Sequence, residues 1–153
     1  MIPLSEAQAY VLQGCAPLGA TAADSAQALG LVTAETIMCN EFVPPFNNTA
    51  VDGYAVMAAD TTAAPVDLQV VGAIAAGEAP STPLTPGTAI RIMTGAPLPA
   101  GADAIVMVED TTTSDDTKTV TVNRAVESGS AVRRAGEDMQ PGQQVFDCGT
   151  LLQ

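Results

Sequence analysis

Apolar and polar positions alternate in short runs through most of this chain, and proline or glycine interrupts almost every run. The exceptions lie near the start. Ser5-Glu6-Ala7-Gln8 matches the capping-box pattern, in which a Ser hydroxyl and a Gln amide satisfy free helix amides reciprocally. It predicts a helix running to Leu12 or Gln13, with Gly14 as its stop. A second short helix is expected over Asp24–Leu29, capped by Asp24 and ended by Gly30. From Leu31 onward the pattern turns to strands. Asp67–Gly77 begins with polar–apolar alternation and becomes small and apolar. Ala104–Val108, "AIVMV", is a continuous apolar run, as expected of a strand buried on both faces. Lys118–Arg124 puts Val120 and Val122 on one face and threonines on the other. The intervening "TTTSDDTK" reads as a solvated hairpin loop.

These elements describe a mainly β chain with a short helical N-terminal portion, an α+β class. Eleven prolines and thirteen glycines suit many tight turns between strands. No glycine-rich phosphate cradle follows a strand, so a nucleotide-binding α/β core is not visible. At 153 residues the chain is long enough to bury a core without staples. With 47% hydrophobic but only 3% aromatic residues, that core must be aliphatic.

Charge narrows the chemistry. Seventeen acids against five bases give a net charge of −12, a poor match for duplex nucleic acid or an anionic membrane surface. Histidine is absent, which removes the commonest general base and the Ser-His and Cys-His nucleophile pairs. Carboxylates, hydroxyls, backbone amides and a few arginines are left, and carboxylates suit hard cations such as Mg²⁺. Cys15, Cys39 and Cys148 are odd in number and form no CxxC, which argues against a zinc site or a disulfide framework. They are expected to be buried small apolar side chains in a reducing compartment. The N-terminus carries no basic region followed by an apolar run, so a cytoplasmic location is expected.

Three segments combine acids with turn-formers. In "PPFNNTAVDGYAV" (Pro44–Val56), Asp52-Gly53 is a strong turn signal, and the same Asp could be a rigidly held functional carboxylate. In "RIMTGAPLPAGADAIVMVED" (Arg91–Asp110), Thr94-Gly95 follows a β-like run. It either closes a strand in a proline-fixed turn or presents donors to an anion. Asp103, Glu109 and Asp110 are expected to be the solubilising ends of the buried strand. In "VRRAGEDMQPGQQVF" (Val132–Phe146), Arg133 and Arg134 precede Glu137 and Asp138. The four form either a surface ion-pair cluster or a polar site that orients a carboxylate or binds phosphate.

In order and spacing these three segments resemble the molybdopterin molybdenumtransferase family, the MoeA type, to which the C-terminal part of gephyrin also belongs. The resemblance covers essentially the whole chain. Asn47, Thr49 and Val51 stand where the family usually writes Asp, Ser and Met, while Asp52-Gly53-Tyr54 is intact. The resemblance implies the MoeA N-terminal fold of coiled and bifurcated β-sheets in two intertwined subdomains. These are expected at 1–43 with 126–153 and at 44–125. It implies insertion of molybdenum from molybdate into adenylylated molybdopterin, with release of AMP and a requirement for Mg²⁺. It also implies a homodimer whose cleft is completed by the partner protomer's α/β domain. That domain is expected to follow where this chain ends, so the 153 residues alone are expected to be inactive. Asp52, Thr94 and Asp138 match the family's catalytic positions. Thr49, Gly95 and Glu137 are implied to lie beside substrate, and Asp52 or Asp138 is the candidate metal ligand. Two competing readings remain: a non-catalytic dimerisation or scaffold module of the same family, and a generic acidic β domain that binds a small ligand or protein.

Overall fold

The computed structural model describes residues 2–16, 18–114 and 116–153. It divides into two compact units, Met1–Ile37 with Gln144–Gln153, and Met38–Gln143. The expected class holds: the chain is mainly β, with one α-helix among the described residues.

In the first unit, helix α1 spans Leu4–Gln13 and is followed by Gly14, as expected. The capping box is not used. Pro3 is the N-cap, and its carbonyl accepts from the amides of both Glu6 and Ala7 at 3.1 Å. The helix therefore starts upstream of Ser5, which sits inside the first turn with no capping bond. A proline loses nothing there, because it has no N–H to leave unpaired. The second expected helix shrinks to a single 3-10 turn, Ser25–Gln27, since so short a stretch does not repay helix nucleation. Asp24 precedes that turn without capping it through its side chain. The two separated segments of this unit are joined through Thr33. Its amide donates to Thr150 O, its hydroxyl donates to Asp147 O, and the Thr150 amide donates to the Thr33 hydroxyl.

The second unit is built on β3 (Gly53–Val56), β4 (Val66–Ile74), β5 (Thr88–Ile92), β6 (Ala104–Met107), β7 (Thr111–Thr113) and β8 (Thr119–Val122). They form one six-stranded sheet in the order β6-β3-β5-β4-β8-β7, antiparallel except between β4 and β5. Outside that sheet, β2 (Asn48–Thr49) pairs with β9 (Val132–Arg133), and β1 covers Ile37–Met38. A last strand, β10, covers Gln144–Phe146 and belongs to the first unit.

The strand order carries a geometric consequence. β6 and β7 are opposite edges of the sheet, yet only Val108–Asp110 connects them. Laid flat, the edges would stand about 24 Å apart at the usual strand spacing. Three residues reach about 11 Å when extended. The sheet must therefore curl until its edges meet, and Tyr54 Oη on β3 lies 3.0 Å from Thr113 Oγ1 on β7. Curling gives the sheet an inside and an outside, and both are packed. Tyr54, Val56, Leu68, Val106, Val120 and Val122 form one core cluster. Ala55, Ile74, Leu84, Ile90, Ile92 and Ile105 form another on the opposite face.

This explains "AIVMV". Ala104 and Val106 point into the first cluster and Ile105 into the second, so these three positions are all apolar, while Met107 at the strand's end is exposed. In β8 the alternation holds as expected, with Val120 and Val122 fully buried. The reading of "TTTSDDTK" needs correction, because Thr111–Thr113 is a strand paired with β8. The hairpin is thus β7–β8, whereas β6 pairs with β3. Threonine fits a half-exposed edge strand as well as a loop, so polarity alone did not separate the two. Asp115, part of that loop, lies outside the described residues.

Two further expectations are corrected. Cys15 and Cys148 are exposed and Cys39 is partly buried, so the cysteines are not core residues. Asp103 is more than a solubilising end: its carboxylate accepts the Ala58 amide at 2.7 Å, at the start of the 3-10 turn Ala58–Thr61.

Candidate functional site

All three acid-bearing segments meet at β2. On one side Thr49 donates its amide to Ala96 O at 3.1 Å and accepts the Gly95 amide at 2.9 Å. On the other, Asn48 and Thr49 face Arg133 and Val132 of β9 in antiparallel register. Asn47 extends the junction in both directions. Its carbonyl accepts the Leu98 amide at 2.9 Å, and its side-chain oxygen accepts the Ala135 amide at 2.8 Å. Segments that are far apart in sequence are thus held by backbone bonds to three consecutive residues. From the sequence, Asn47 departs from the family pattern and is expected at most to bond the local backbone. Its role in joining the first segment to the third depends on a contact 88 residues away.

The turn that follows β2 presents Asp52. Its Oδ1 accepts two hydrogen bonds from Thr94, one from the backbone amide and one from the hydroxyl, each 2.8 Å. The two residues lie 42 positions apart in sequence, at the ends of neighbouring strands β3 and β5. Both are exposed. The turn signal in Asp52-Gly53 and the strand-end loop at Thr94-Gly95 are therefore two halves of one feature. The Thr94 amide and then its hydroxyl hold the Asp52 carboxyl below its ordinary 3.8 against an opposing desolvation effect, and the charge of Arg91 adds the weakest contribution.

The sign of the pH dependence follows. A carboxyl whose folded value is depressed favours the folded arrangement above its unfolded value, near 3.9. That contribution is lost as pH falls through the lower folded value. The Thr94 amide proton is accordingly expected to keep one chemical shift from neutral pH down to about 5. Its titration midpoint should lie below 3.8. An NMR titration midpoint at or above that value would contradict the Asp52–Thr94 pairing.

Gly95 adopts φ 82°, a left-handed conformation in which a side chain would be strained. Its amide is already engaged by Thr49. Thr49 itself is 1% exposed, and its hydroxyl donates to Val51 O while accepting the Val51 amide. Both residues shape the turn between Asp52 and Thr94 from behind.

Asp138 is placed differently. Its carboxylate makes a close, charge-assisted hydrogen bond with Arg133, and the two side chains are 51% and 40% exposed. The neighbouring carboxylate of Glu137 accepts the Arg134 amide at 2.9 Å. The opposite charges of this segment therefore resolve into one ion pair and one local turn. An open cavity of about 420 Å³ lies here, lined by Val132, Arg134, Ala135, Gly136, Glu137 and Gln140. Neither Asp52 nor Thr94 lines it, and among the described residues no hydrogen bond joins the Asp52–Thr94 pair to the Arg133–Asp138 pair. β2 and β9 connect the two pairs through the backbone.

Arg91 did not stand out in the sequence. It lies half-buried on β5 opposite Tyr54, donates from Nη1 to Gly53 O at 2.8 Å, and sits 5.1 Å from the centre of the Tyr54 ring. Its rarity as one of five basic residues is the signal that could have drawn attention to it.

Comparison with known proteins identifies the family. Residues 2–153 match the family model described as MoeA N-terminal region, domains I and II. The chain is 40% identical over 148 residues to molybdopterin molybdenumtransferase 2 of Mycobacterium tuberculosis strain H37Rv, covering 94% of this chain and 35% of that protein. It is 38% identical over 125 residues to the Bacillus subtilis molybdopterin molybdenumtransferase, covering 78% and 29%. A crystal structure of the molybdopterin biosynthesis moeA protein from Pyrococcus horikoshii OT3 superposes with a TM-score of 0.79 at 36% identity, covering 84% of this chain and 34% of that one. The chain spans about a third of the length of these relatives. By motif, fold and identity along nearly its whole length, the chain belongs to the MoeA N-terminal region family.

Proposed function

We propose that this chain supplies the N-terminal part of a molybdopterin molybdenumtransferase, inserting molybdenum from molybdate into adenylylated molybdopterin with release of AMP. The observation that carries the reading is the Asp52 carboxylate, exposed yet held by both donors of Thr94 at the junction of three separate segments. A bond to two donors keeps one carboxylate oxygen fixed and the other free. Ionised and oriented, that group can align a water or a cation beside a phosphate. Thr94 directs its hydroxyl proton to Asp52 and so acts through that carboxylate. Gly95 and Thr49 hold the loop, and Asp138, Arg133 and Glu137 form a second polar element, linked to the first through the β2–β9 pairing.

Both substrates are anionic, and a net charge of −12 would repel them. They are therefore held chiefly by the α/β domain of the partner protomer in a homodimer, in the cytoplasm. Among the described residues no group of three or more Asp, Glu, Cys or His side chains could hold a metal ion. Asp52 fits Mg²⁺ only as a single ligand, through its free Oδ2. That is compatible with an ion that takes one or two carboxylates together with substrate phosphates and water. Asp138 is the poorer candidate, because Arg133 already neutralises it. When bound, the ion would offset phosphate charge at the bond to AMP.

The test is a chimera in which these 153 residues replace the matching third of the Mycobacterium tuberculosis relative. It is expected to load molybdenum into adenylylated molybdopterin and release AMP. A folded chimera with neither product would sink the reading. A specific observation favours one alternative, a dimerisation or scaffold module: helix α1 buries none of its side chains, and Leu4, Tyr10, Val11 and Leu12 are all exposed. A chimera that is dimeric but silent would select it.

A further inference from the structure

Two rungs connect the start of β3 to the end of β5. The outer rung is the pair of bonds from Thr94 to Asp52, in full contact with solvent. The inner rung is the Arg91 guanidinium, which donates to Gly53 O at 2.8 Å. Asp52 precedes Gly53, and Thr94 follows Arg91 by three residues, so both rungs tie the same two segments. The inner rung is itself supported by the Tyr54 ring. The guanidinium lies over the Tyr54 ring, 5.1 Å from its centre, and Tyr54 is anchored by the bond between its hydroxyl and Thr113. Tyr54 is 5% exposed, so the ring under Arg91 is packed into the core. Arg91 makes no ion pair within 4.0 Å among the described residues, although acids outnumber bases seventeen to five. A half-buried arginine bonded to a backbone carbonyl is engaged in holding that carbonyl.

We infer that Arg91 is a positioning residue. By binding Gly53 O and resting on Tyr54, it fixes the turn that carries Asp52, so that the carboxylate stays in front of Thr94. The inference rests on the proposed role of Asp52 for its functional meaning, but not for its structural content. An exposed carboxylate bond competes with water and defines a direction poorly when left alone. With the Gly53 carbonyl pinned one residue away, the Asp52 backbone has little room to rotate its side chain elsewhere. The positive charge of Arg91 also adds, behind the two Thr94 bonds, to the forces that keep Asp52 ionised.

Two kinds of measurement on the 153-residue chain decide the structural content. In the unaltered chain, the Arg91 Nη protons should give separate NMR resonances, while those of Arg124, whose side chain is 78% exposed, are averaged by rotation. Averaged Arg91 signals would overturn the inference without any variant. Arg91→Met keeps the apolar stem and removes the donors. It is expected to abolish the scalar coupling across the Thr94 N–H to Asp52 hydrogen bond. The coupling from the Gly95 amide to the Thr49 carbonyl, in the same loop, should survive. Survival of both couplings would overturn the inference. If both vanish, Arg91→Lys decides, since it retains charge and a donor: return of the Asp52–Thr94 coupling supports the inference, and its absence overturns it.

Activity provides the functional arm. In an active chimera, Arg91→Met should lower kcat about 100-fold with little change in KM, as expected when a reacting group is misplaced. An unchanged kcat overturns the positioning role while leaving the proposed function standing. An inactive unaltered chimera removes the proposed function, and the NMR results still decide where Arg91 holds Asp52.

Discussion

Gly53→Ala is expected to lower stability by about 3 kcal/mol or more, the upper end of what overpacking costs. A β-carbon placed on Gly53 would stand 2.2 Å from Val106 O and 3.0 Å from both Val106 C and the Ile105 side chain. The first two are backbone atoms of β6, the strand paired with β3 in register Gly53↔Met107 and Tyr54↔Val106. A side chain could swing away, but a paired strand cannot without breaking its ladder. β6 is also buried on both faces, so its displacement would disturb both core clusters at once. For a chain of this size a loss of that magnitude corresponds to a fall in Tm of about 6–12 °C. Calorimetry or urea denaturation would measure it, and a variant within 1 kcal/mol of the unaltered chain would refute the close approach. Gly53 has no positive φ, so the requirement comes from space alone.

Asp52→Asn is expected to have a large effect on activity and little on the fold. Asparagine keeps an acceptor oxygen for the Thr94 amide and hydroxyl, so the turn retains its partner. It loses the negative charge. If that charge orients a cation or a water at the phosphate of the adenylylated pterin, molybdenum insertion by the chimera should fall on the order of 100-fold. The melting profile should change little, because Asp52 is exposed and contributes to neither core cluster, and only the charge-dependent part of the Thr94 bonds is lost. Turnover equal to that of the unaltered chimera would show that Asp52 makes a turn and nothing more.

These two neighbours illustrate what a sequence conveys and what it withholds. Asp52-Gly53 is legible as a turn because both residues tolerate turn conformations, a local property. The stronger demand on Gly53 comes from Val106, more than fifty residues later, and no local signal announces it. The strands divide in the same way. β6 and β8 were readable, since burial on both faces or on one leaves a periodic trace. β7 was not, because three threonines on an exposed edge look like a loop until a partner strand is seen. Helix α1 was placed almost to the residue, while its capping was not. The choice between Pro3 and Ser5 depends on where the chain first turns.

The candidate site follows the same rule. The three acid-bearing segments were visible as departures from an Ala-, Val- and Thr-rich background, and their order was enough to identify the family. Which acid meets which partner was not visible. Pattern alone left the Arg133–Asp138 cluster undecided between an ion pair and a site, and gave Thr94 no link to Asp52.

The sequence by itself determined the mainly β class, the buried strands, the exclusion of histidine chemistry and the family. All of these depend on composition, short-range periodicity or motif order. Only the tertiary structure decided that Asp52 is held by Thr94, that Arg91 lies beneath them, and that β2 gathers three segments at one place. The physical reason is that hydrogen bonds and close approaches between distant strands depend on register and curl. Those arise when the sheet closes on itself, and no stretch of the chain carries them alone.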